Sequence, residues 1–340
     1  MSCRTLRIIG YCHLDPQPKL EGIVPIWFAE SLLKQFWFVG RRLLARLTMP
    51  SLDHDGMTMD IPSYYQANAL LSGIRLDGYD LPLTVQVIFP FTPFCMSQVL
   101  LVKPIGDLNA LKLPPKFILK VYDPRFYPYR LSRVNKPWSY AVETEAAAKR
   151  PARRNPKFDE CNTPKTDDAV SWEEFFYQLS EEQFYYESSA YIRLAPLQGT
   201  VIPRYFGAGE LQLKGRAISP RVIMLEYIPD AQRLDAVDPN SVTLSTAQSL
   251  IDAAQKIDAL GVSHRDYNPG NILFSHGKGM IIDFGGCFVR EDDSDEEWAA
   301  AVRLDGNVWN MKRWMRNLLK KSGLKNAFTY FEAKKLTKSL

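Results

Sequence analysis

Short runs rich in apolar and β-branched residues predict a sheet in the first half of the chain. The runs cover residues 83–89, 98–103 and 117–122, and each has the length and composition of a strand. Three such strands in succession are typical of an antiparallel sheet. A further run of the same kind, residues 221–228, predicts another strand later in the chain.

Helical spacing follows the first three strands. The sequence at residues 180–183, Ser-Glu-Glu-Gln, matches a capping box and predicts the start of a helix. Glu187 shares the apolar face of that helix, because residues three and four apart lie on the same side. A carboxylate on such a face needs a cation as partner, since an unpaired buried charge is costly. The apolar residues of this face are Phe184, Tyr191 and Leu194.

The second half of the chain alternates between helices and one hairpin. Residues 245–260 predict an amphipathic helix that ends at Gly261, and residues 308–319 predict a last helix. Between them, residues 271–274 and 280–282 are apolar and flank a short turn that contains glycine. This arrangement predicts a β-hairpin.

The first 80 residues have a weaker pattern. Residues 30–47 fit an amphipathic helix, which either packs on the body of the protein or lies on a membrane surface as a targeting or partner arm. Residues 51–80 are rich in Asp, Gly, Pro and Ser, and they predict irregular chain. We therefore expect residues 1–80 to form an N-terminal extension that is partly irregular.

A long insertion separates the third strand from the helix that carries Glu187. Residues 149–157 contain five basic residues and no acidic one, and the chain remains poor in apolar residues beyond them. The composition predicts a mobile, solvated loop over residues 146–170. Contact with an acidic partner and a nuclear address are the alternatives for the basic run.

Composition and charge exclude several classes of protein. Of the 340 residues, 46% are hydrophobic and 24% are charged, which is typical of a globular chain and excludes fibrous and disordered classes. The net charge of +4 is small, so no nucleic-acid partner is expected. Five scattered cysteines indicate neither a disulfide framework nor a zinc site. No apolar stretch is long enough for a transmembrane segment, and we expect an intracellular protein of the cytoplasm or nucleus.

The residues with the clearest chemistry lie between positions 264 and 285. The sequence at 264–271 is His-Arg-Asp-Tyr-Asn-Pro-Gly-Asn, the predicted hairpin follows, and Asp-Phe-Gly occupies 283–285. Because a tight hairpin returns the chain to its starting edge, Asp283 should emerge beside Asn271, with Asp266 on the preceding loop. Two carboxylates and an amide oxygen form a set of ligands that suits Mg²⁺.

These motifs resemble those of the protein kinase-like superfamily, in which H-R-D-x-x-x-x-N precedes D-F-G. The resemblance implies an α+β, two-lobed kinase-like fold. Its N-lobe, an antiparallel sheet, would cover residues 81–228, and a reduced, mainly helical C-lobe would cover residues 229–325, before a tail at 326–340. The run at 268–271 is closer to the aminoglycoside- and choline-kinase-like branch, and the short C-terminal part is similar to compact kinase-like proteins abundant in fungi.

The resemblance also implies ATP and Mg²⁺ as cofactors and assigns roles to residues. Asp266 would position or deprotonate the acceptor hydroxyl, while Asn271 and Asp283 would hold Mg²⁺ on the phosphates. Lys120, in the third strand, would contact the α- and β-phosphates and pair with Glu187. The rival partners for Lys120 are Glu173, Glu174, Glu181 and Glu182.

The strand that begins at residue 221 resembles the hinge between kinase lobes. By that resemblance, the carbonyl of Glu226 and the N–H of Ile228 would bind adenine, and Leu225 would stand at the gatekeeper position. The alternative is an ordinary buried strand.

Two features depart from the family pattern or extend it. Residues 90–97 stand where a glycine-rich loop is expected, and their two prolines supply no N–H for phosphate. Residues 291–297 contain six acids, which either offer Arg265 a substitute for a phosphate group or form a solvated loop.

Two functions fit these observations. The first is an ATP- and Mg²⁺-dependent phosphotransferase, a kinase that moves the γ-phosphate to a hydroxyl on a protein or a small molecule. The alternative is a pseudokinase, a scaffold that binds nucleotide without turnover. The missing glycine loop favours the scaffold, whereas the retained Lys120, Asp266, Asn271 and Asp283 favour the enzyme.

Overall fold

The computed structural model describes residues 61–79, 82–106, 112–165 and 167–323, apart from the side chain of Tyr129. The helix predicted at residues 30–47 and the tail at 326–340 lie outside the described residues. Helices and strands are mixed along the chain.

Six strands of the described residues form a closed antiparallel barrel. The three strands predicted for an antiparallel sheet are confirmed with that pairing, and the further strand predicted at residues 221–228 joins the same sheet at Arg221–Glu226. In chain order the strands are β1 (Leu70–Leu76), β2 (Leu83–Phe91), β3 (Gln98–Ile105), β4 (Phe117–Tyr122), β5 (Tyr205–Leu211) and β6 (Arg221–Glu226). Around the barrel they follow the order β1, β2, β3, β4, β6, β5.

Strand β1 corrects the prediction that residues 51–80 are irregular. It pairs with both β2 and β5 and so closes the sheet. The pairing with β2 shifts register between Leu71 and Ile74, where Gly73 has a φ of 97°. This bulge interrupts the alternation of apolar residues, so the sequence does not show a regular strand. Closure leaves neither β2 nor β5 as an open edge.

A glycine permits the close approach of the two strands at the closure. Leu76 of β1 pairs with Gly209 of β5. A Cβ atom on Gly209 would lie 2.1 Å from the carbonyl oxygen of Arg75, closer than any side chain can come. The barrel interior is filled by buried apolar residues, which include Val85, Val87, Leu100, Val102, Leu119 and Val121.

The helices of the described residues are α1 (Tyr129–Ser132), α2 (Tyr140–Lys149), α3 (Ala169–Arg193), α4 (Leu244–Ala259), α5 (Asp295–Asp305) and α6 (Asn307–Lys321). The helices predicted at 245–260 and 308–319 are confirmed. The hairpin is confirmed as β9 (Ile272–Ser275) and β10 (Lys278–Ile281). The short strands β7 (Gln232–Arg233), β8 (Val262–Ser263) and β11 (Phe288–Val289) complete the set. No helix among the described residues combines the length and the apolar character needed to cross a membrane.

Helix α3 begins earlier than the capping-box match predicted. Its N-cap is Asp168, whose carboxylate accepts hydrogen bonds from the backbone N–H groups of Val170 and Ser171. Ser180 lies inside the helix, and its hydroxyl donates to the carbonyl of Tyr177. The predicted apolar face is nevertheless correct, because Phe184, Glu187 and Tyr191 are all buried.

The described residues between α2 and α3 form no helix or strand and are mostly exposed, as the composition predicted, but three arginines of the basic run at 149–157 are paired with α3. Arg150 pairs with Glu174 at 2.8 Å, Arg153 with Glu181 at 3.2 Å, and Arg154 with Glu182 at 3.0 Å. The three glutamates lie on one side of α3, so the insertion follows the outer face of that helix. The sequence does not reveal this contact, because it depends on the helix phase of one segment and the path of another.

A buried charge network ties helix α2 to the end of β4. The side chain of Arg216 is 1% exposed and donates to Asp123 at 2.9 Å and to Glu143 of α2 at 2.7 Å. Arg125 also pairs with Asp123, and together the two guanidinium groups lower the pKa of that carboxyl to about 2, although burial opposes its charge.

We predict that Arg216→Ala lowers the free energy of unfolding by about 3 kcal/mol, because it leaves two buried carboxylates short of a cation. Urea unfolding of the whole chain measures the change. Lys149→Ala is the control, since its ion pair with Glu145 is largely exposed and should leave the urea midpoint nearly unchanged. Equal midpoints for the two variants would contradict this interpretation of the network.

Candidate active site

A buried lysine joins three parts of the chain. Lys120 Nζ of β4 lies 2.6 Å from Glu187 Oε2 of α3 and 2.7 Å from Asp283 Oδ1. The predicted ion pair between Lys120 and Glu187 is therefore present, and Asp283 completes a three-charge cluster. The rival glutamates pair elsewhere: Glu173 with Arg130, Glu174 with Arg150, Glu181 with Arg153, and Glu182 with Arg154.

Burial and charge act against each other in this cluster. Burial disfavours the Lys120 ammonium, but Asp283 and Glu187 outweigh it and raise the lysine pKa above its usual value. Burial likewise disfavours the Asp283 carboxylate, and Lys120 overcomes it to lower that pKa. For Glu187, burial prevails and raises the pKa despite Lys120. Lys120 and Asp283 are thus charged near neutral pH, and 46% of the Asp283 side chain is exposed.

His264 connects the loop at 264–271 to the segment after the hairpin. Its buried ring accepts the backbone N–H of Asp266 at Nδ1 (3.3 Å) and lies 2.9 Å from the carbonyl of Ile282 at Nε2. This pattern places the ring proton on Nε2, and burial lowers the pKa of the imidazole. The ring also contacts Tyr267 and Phe284, with centroids 4.4 and 4.7 Å away.

Two asparagines orient the exposed carboxylate of Asp266. The amide of Asn268 donates to Asp266 Oδ1 at 3.0 Å, and the amide of Asn271 donates to Oδ2 at 3.0 Å. Because the Asn271 amide nitrogen faces Asp266, its carbonyl oxygen is the atom suited to a cation. The backbone carbonyl of Asn271 accepts the N–H of Ile282 at 3.0 Å, so Asn271 and Asp283 lie at the same end of the hairpin.

The His-Arg-Asp run at 264–266 and the Asp-Phe-Gly motif at 283–285 each contain a residue with a left-handed backbone conformation. Arg265 has a φ of 66° and Asp283 a φ of 64°, a region that non-glycine residues seldom adopt. Hydrogen bonds stabilise each: the N–H of Arg265 donates to Asn307 Oδ1 at 3.1 Å, and Asp283 Oδ1 accepts the N–H of Gly285 at 3.3 Å. Such conformations persist where surrounding contacts fix them, and they cluster at functional sites.

Gly285 is placed directly against the charge cluster. A Cβ atom at this position would lie 3.2 Å from Glu187 Oε2 and 3.3 Å from Asp283 Oδ1. A side chain at the third position of the Asp-Phe-Gly motif would therefore be crowded, and the neighbouring carboxylates would have to shift by a few tenths of an ångström.

The residues predicted to bind adenine lie beside the strand of Lys120. Glu226 ends β6, in which Ile223 pairs with Lys120, and Leu225 is 7% exposed. Glu226 and Ile228 are partly exposed, and the Glu226 side chain accepts the N–H of Arg204 at 3.0 Å. Their contact with adenine stays a prediction.

The loop at residues 90–97, which stands where a glycine-rich loop was expected, is attached to the neighbouring strands and to α3. Gln98 accepts the N–H of Asp123 at 3.0 Å and donates to the carbonyl of Cys95 at 3.4 Å. The Gln183 amide contacts the sulfur of Met96 at 3.6 Å. The sequence pattern does not reveal the role of either glutamine, because each contacts a residue that is far away along the chain.

A buried polar network lies next to the loop at residues 264–271 and was not predicted. Asn307 donates to Asp258 Oδ1 at 2.9 Å and to the hydroxyl of Ser263 at 2.7 Å, and Ser263 donates to Asp305 at 2.6 Å. Arg265 lies 3.8 Å from Asp305, so this carboxylate, on helix α5, is its acidic neighbour. Residues of the acidic run instead form the first turn of α5, where negative charge is favourable.

A family model matches the part of the chain that contains most of these residues. Residues 187–290 match the model of the phosphotransferase enzyme family, a segment that contains Glu187, the loop at residues 264–271 and the Asp-Phe-Gly motif. The match covers less than a third of the chain; it supports phosphotransferase activity in general and a similarity of this segment to the protein kinase-like superfamily. None of the curated proteins compared with the chain matches it.

Two crystal structures of the PknI kinase domain of Mycobacterium tuberculosis are similar to the chain. A mutant form is 17% identical with a TM-score of 0.38, and the match covers 74% of this chain and 77% of that one. The other structure is 16% identical with a TM-score of 0.36, and the match covers 69% of this chain and 72% of that one. With TM-scores below 0.5, neither structure is used as evidence for the fold of this chain.

The buried carboxyl of Asp258 makes the stability of the protein depend on pH. Burial raises the pKa of Asp258 to about 7, with a further contribution from Asp305. The folded state therefore keeps a proton that the unfolded chain loses above about pH 4. The stability from this group is fully present below about pH 4 and is lost as pH rises from there to about 7.

We predict that Asp258→Asn, which imitates the protonated acid, gains stability relative to wild type as pH rises, by about 1 kcal/mol at pH 5 and by roughly 2–4 kcal/mol at pH 8. Urea unfolding at both values measures the difference. Asp252→Asn, on the same helix and bonded to Gln248, is the control and should show no such trend. A constant difference across the range would refute the pKa assignment.

Proposed function

We propose that the protein transfers the γ-phosphate of MgATP to a hydroxyl acceptor, using a two-lobed protein kinase-like fold. The single observation that carries the proposal is the position of Lys120, which contacts Glu187 and Asp283 at 2.6 and 2.7 Å. A protonated lysine held beside a partly exposed carboxylate provides both charges that a metal-bound phosphate chain requires.

The residues present fit a magnesium ion and a nucleotide. Asp283 offers a carboxylate and Asn271 an amide oxygen, which are hard ligands of the kind Mg²⁺ prefers. When bound, the ion would neutralise charge that develops on the phosphates. Lys120 would bind the α- and β-phosphates, and Glu226 and Ile228 would bind adenine through their backbone atoms.

Asp266 is the residue proposed to act on the acceptor. Its carboxylate is exposed, and Asn268 and Asn271 hold one oxygen each. It would accept a hydrogen bond from the acceptor hydroxyl, orient that oxygen towards the γ-phosphorus and receive its proton. The acceptor is a hydroxyl of a protein or of a small molecule.

A nucleotide-binding scaffold without turnover is the second candidate. The loop at 90–97 favours it, because Pro90 and Pro93 offer no N–H to a phosphate. The scaffold differs from the enzyme in one respect that an experiment can measure, namely transfer of the γ-phosphate.

We predict that Asp266→Asn reduces phosphate transfer at least 100-fold and leaves MgATP binding nearly unchanged, because it removes the proton acceptor and keeps the ligands of the cation. Transfer is followed with ATP labelled in the γ-phosphate over protein and metabolite fractions. Binding is measured as the rise in melting temperature with MgATP.

Two further variants complete this design. Asp283→Ala should abolish the Mg²⁺-dependent rise in melting temperature, and a chelator should do the same to the wild-type chain. Asp292→Asn, an exposed acid outside the site, should behave as wild type. Binding without transfer to any fraction would favour the scaffold, and no binding at all would reject both candidates.

A further inference from the structure

Tyr122 contacts the same carboxylate oxygen as the central lysine. It lies two residues after Lys120 in β4, so both side chains leave the same face of the strand. The Tyr122 hydroxyl donates to Glu187 Oε2 at 2.6 Å, and Lys120 Nζ donates to that oxygen at 2.6 Å. Neither motif contains this tyrosine, and the match to the family model begins 65 residues after it.

Few other groups hold the Glu187 carboxylate. Its side chain is fully buried, and its second oxygen, Oε1, has no hydrogen-bond partner among the described residues. Two donors on one oxygen therefore fix the carboxylate. Further ionisable groups whose charge interacts with Glu187 include Asp283, Tyr191 and Cys287.

The tyrosine is itself held rigidly and remains a donor. Its ring packs edge-on against Phe184 of α3 with a centroid distance of 5.6 Å, and it is 1% exposed. Burial, together with the nearby Glu187 carboxylate, raises the pKa of the phenol well above its usual value. The hydroxyl therefore keeps its proton near neutral pH.

The position of Glu187 matters because Lys120 has two carboxylate partners at nearly equal distance. If the Glu187 carboxylate turned away, Lys120 would pair with Asp283 alone. The ammonium would then move away from the phosphates, and Asp283 would be less available to a cation. A donor that fixes Glu187 Oε2 keeps the lysine between its two partners.

We propose that Tyr122 is a positioning residue for nucleotide binding: its hydroxyl fixes the carboxylate of Glu187, which in turn fixes the ammonium of Lys120. This inference rests on the proposed function, in which Lys120 binds the phosphates.

The test compares Tyr122→Phe with Tyr191→Phe. Each variant removes one buried hydroxyl and keeps the ring, but among the described residues the Tyr191 hydroxyl has no hydrogen-bond partner. We expect Tyr122→Phe to weaken binding of MgATP about tenfold, as loss of a hydrogen bond to a charged group would allow, and Tyr191→Phe to leave it unchanged.

Adenosine separates positioning from a merely structural role. It carries no phosphate, so a change that acts through Lys120 should leave the affinity for adenosine unchanged. A general loosening of the site by Tyr122→Phe would weaken adenosine and MgATP equally, and that result would overturn the inference.

A double substitution tests whether the tyrosine acts through Glu187. In a Glu187→Ala background, Tyr122→Phe should cause no further loss of MgATP affinity, because the group that it positions is gone. If the two substitutions reduced the affinity for MgATP by independent factors that multiply, Tyr122 would not act through Glu187. Crystal structures of the nucleotide-free variants give a readout without nucleotide: Glu187 should rotate away from Lys120 in Tyr122→Phe and stay in place in Tyr191→Phe.

The outcomes distinguish this inference from the function on which it rests. If the wild-type chain binds MgATP and the two phenylalanine variants bind it equally, the positioning role is wrong and the proposed function stands. If the wild-type chain binds no MgATP, the proposed function fails, and the role of Tyr122 in nucleotide binding fails with it.

Discussion

The buried ammonium of Lys120 is the interaction on which the site depends. An isolated charge in the interior would be very costly, so the lysine can be buried only where Glu187 and Asp283 meet it. These partners lie 67 and 163 residues away in sequence. The requirement therefore brings strand β4, helix α3 and the segment after the hairpin to a single place, and Gly285 packs closely beside them.

Helix α3 has two polar surfaces with different partners. Its inner side carries Glu187, which lies among apolar groups and pairs with Lys120 and Tyr122. Its outer side carries a row of glutamates, which pair with the arginines of the insertion. Because both surfaces are occupied, the helix has a defined rotation about its axis, and that rotation directs Glu187 towards the lysine. The insertion thus contributes to the geometry of a site that it does not contact directly.

The sequence permits good predictions where the physical signal is local. The hairpin between Asn271 and Asp283 follows from apolar runs on either side of a short turn, and its return of the chain places the two residues at one end. Glu187 is predicted as a buried carboxylate because helix spacing alone puts it on an apolar face. Strands β2, β3, β4 and β6 follow from short runs of apolar and β-branched residues.

The local pattern by itself determined the antiparallel strands, the hairpin, the motif residues and the need of Glu187 for a cation. Tertiary structure alone decided that the arginines at 150–154 pair with α3, that a bulged strand at Gly73 closes the barrel, and that Tyr122 shares an oxygen with Lys120. Each of these contacts joins groups whose relative position depends on the path of the chain between them. An ion pair or a hydrogen bond leaves no periodic trace in sequence, whereas burial of one face of a helix or strand does.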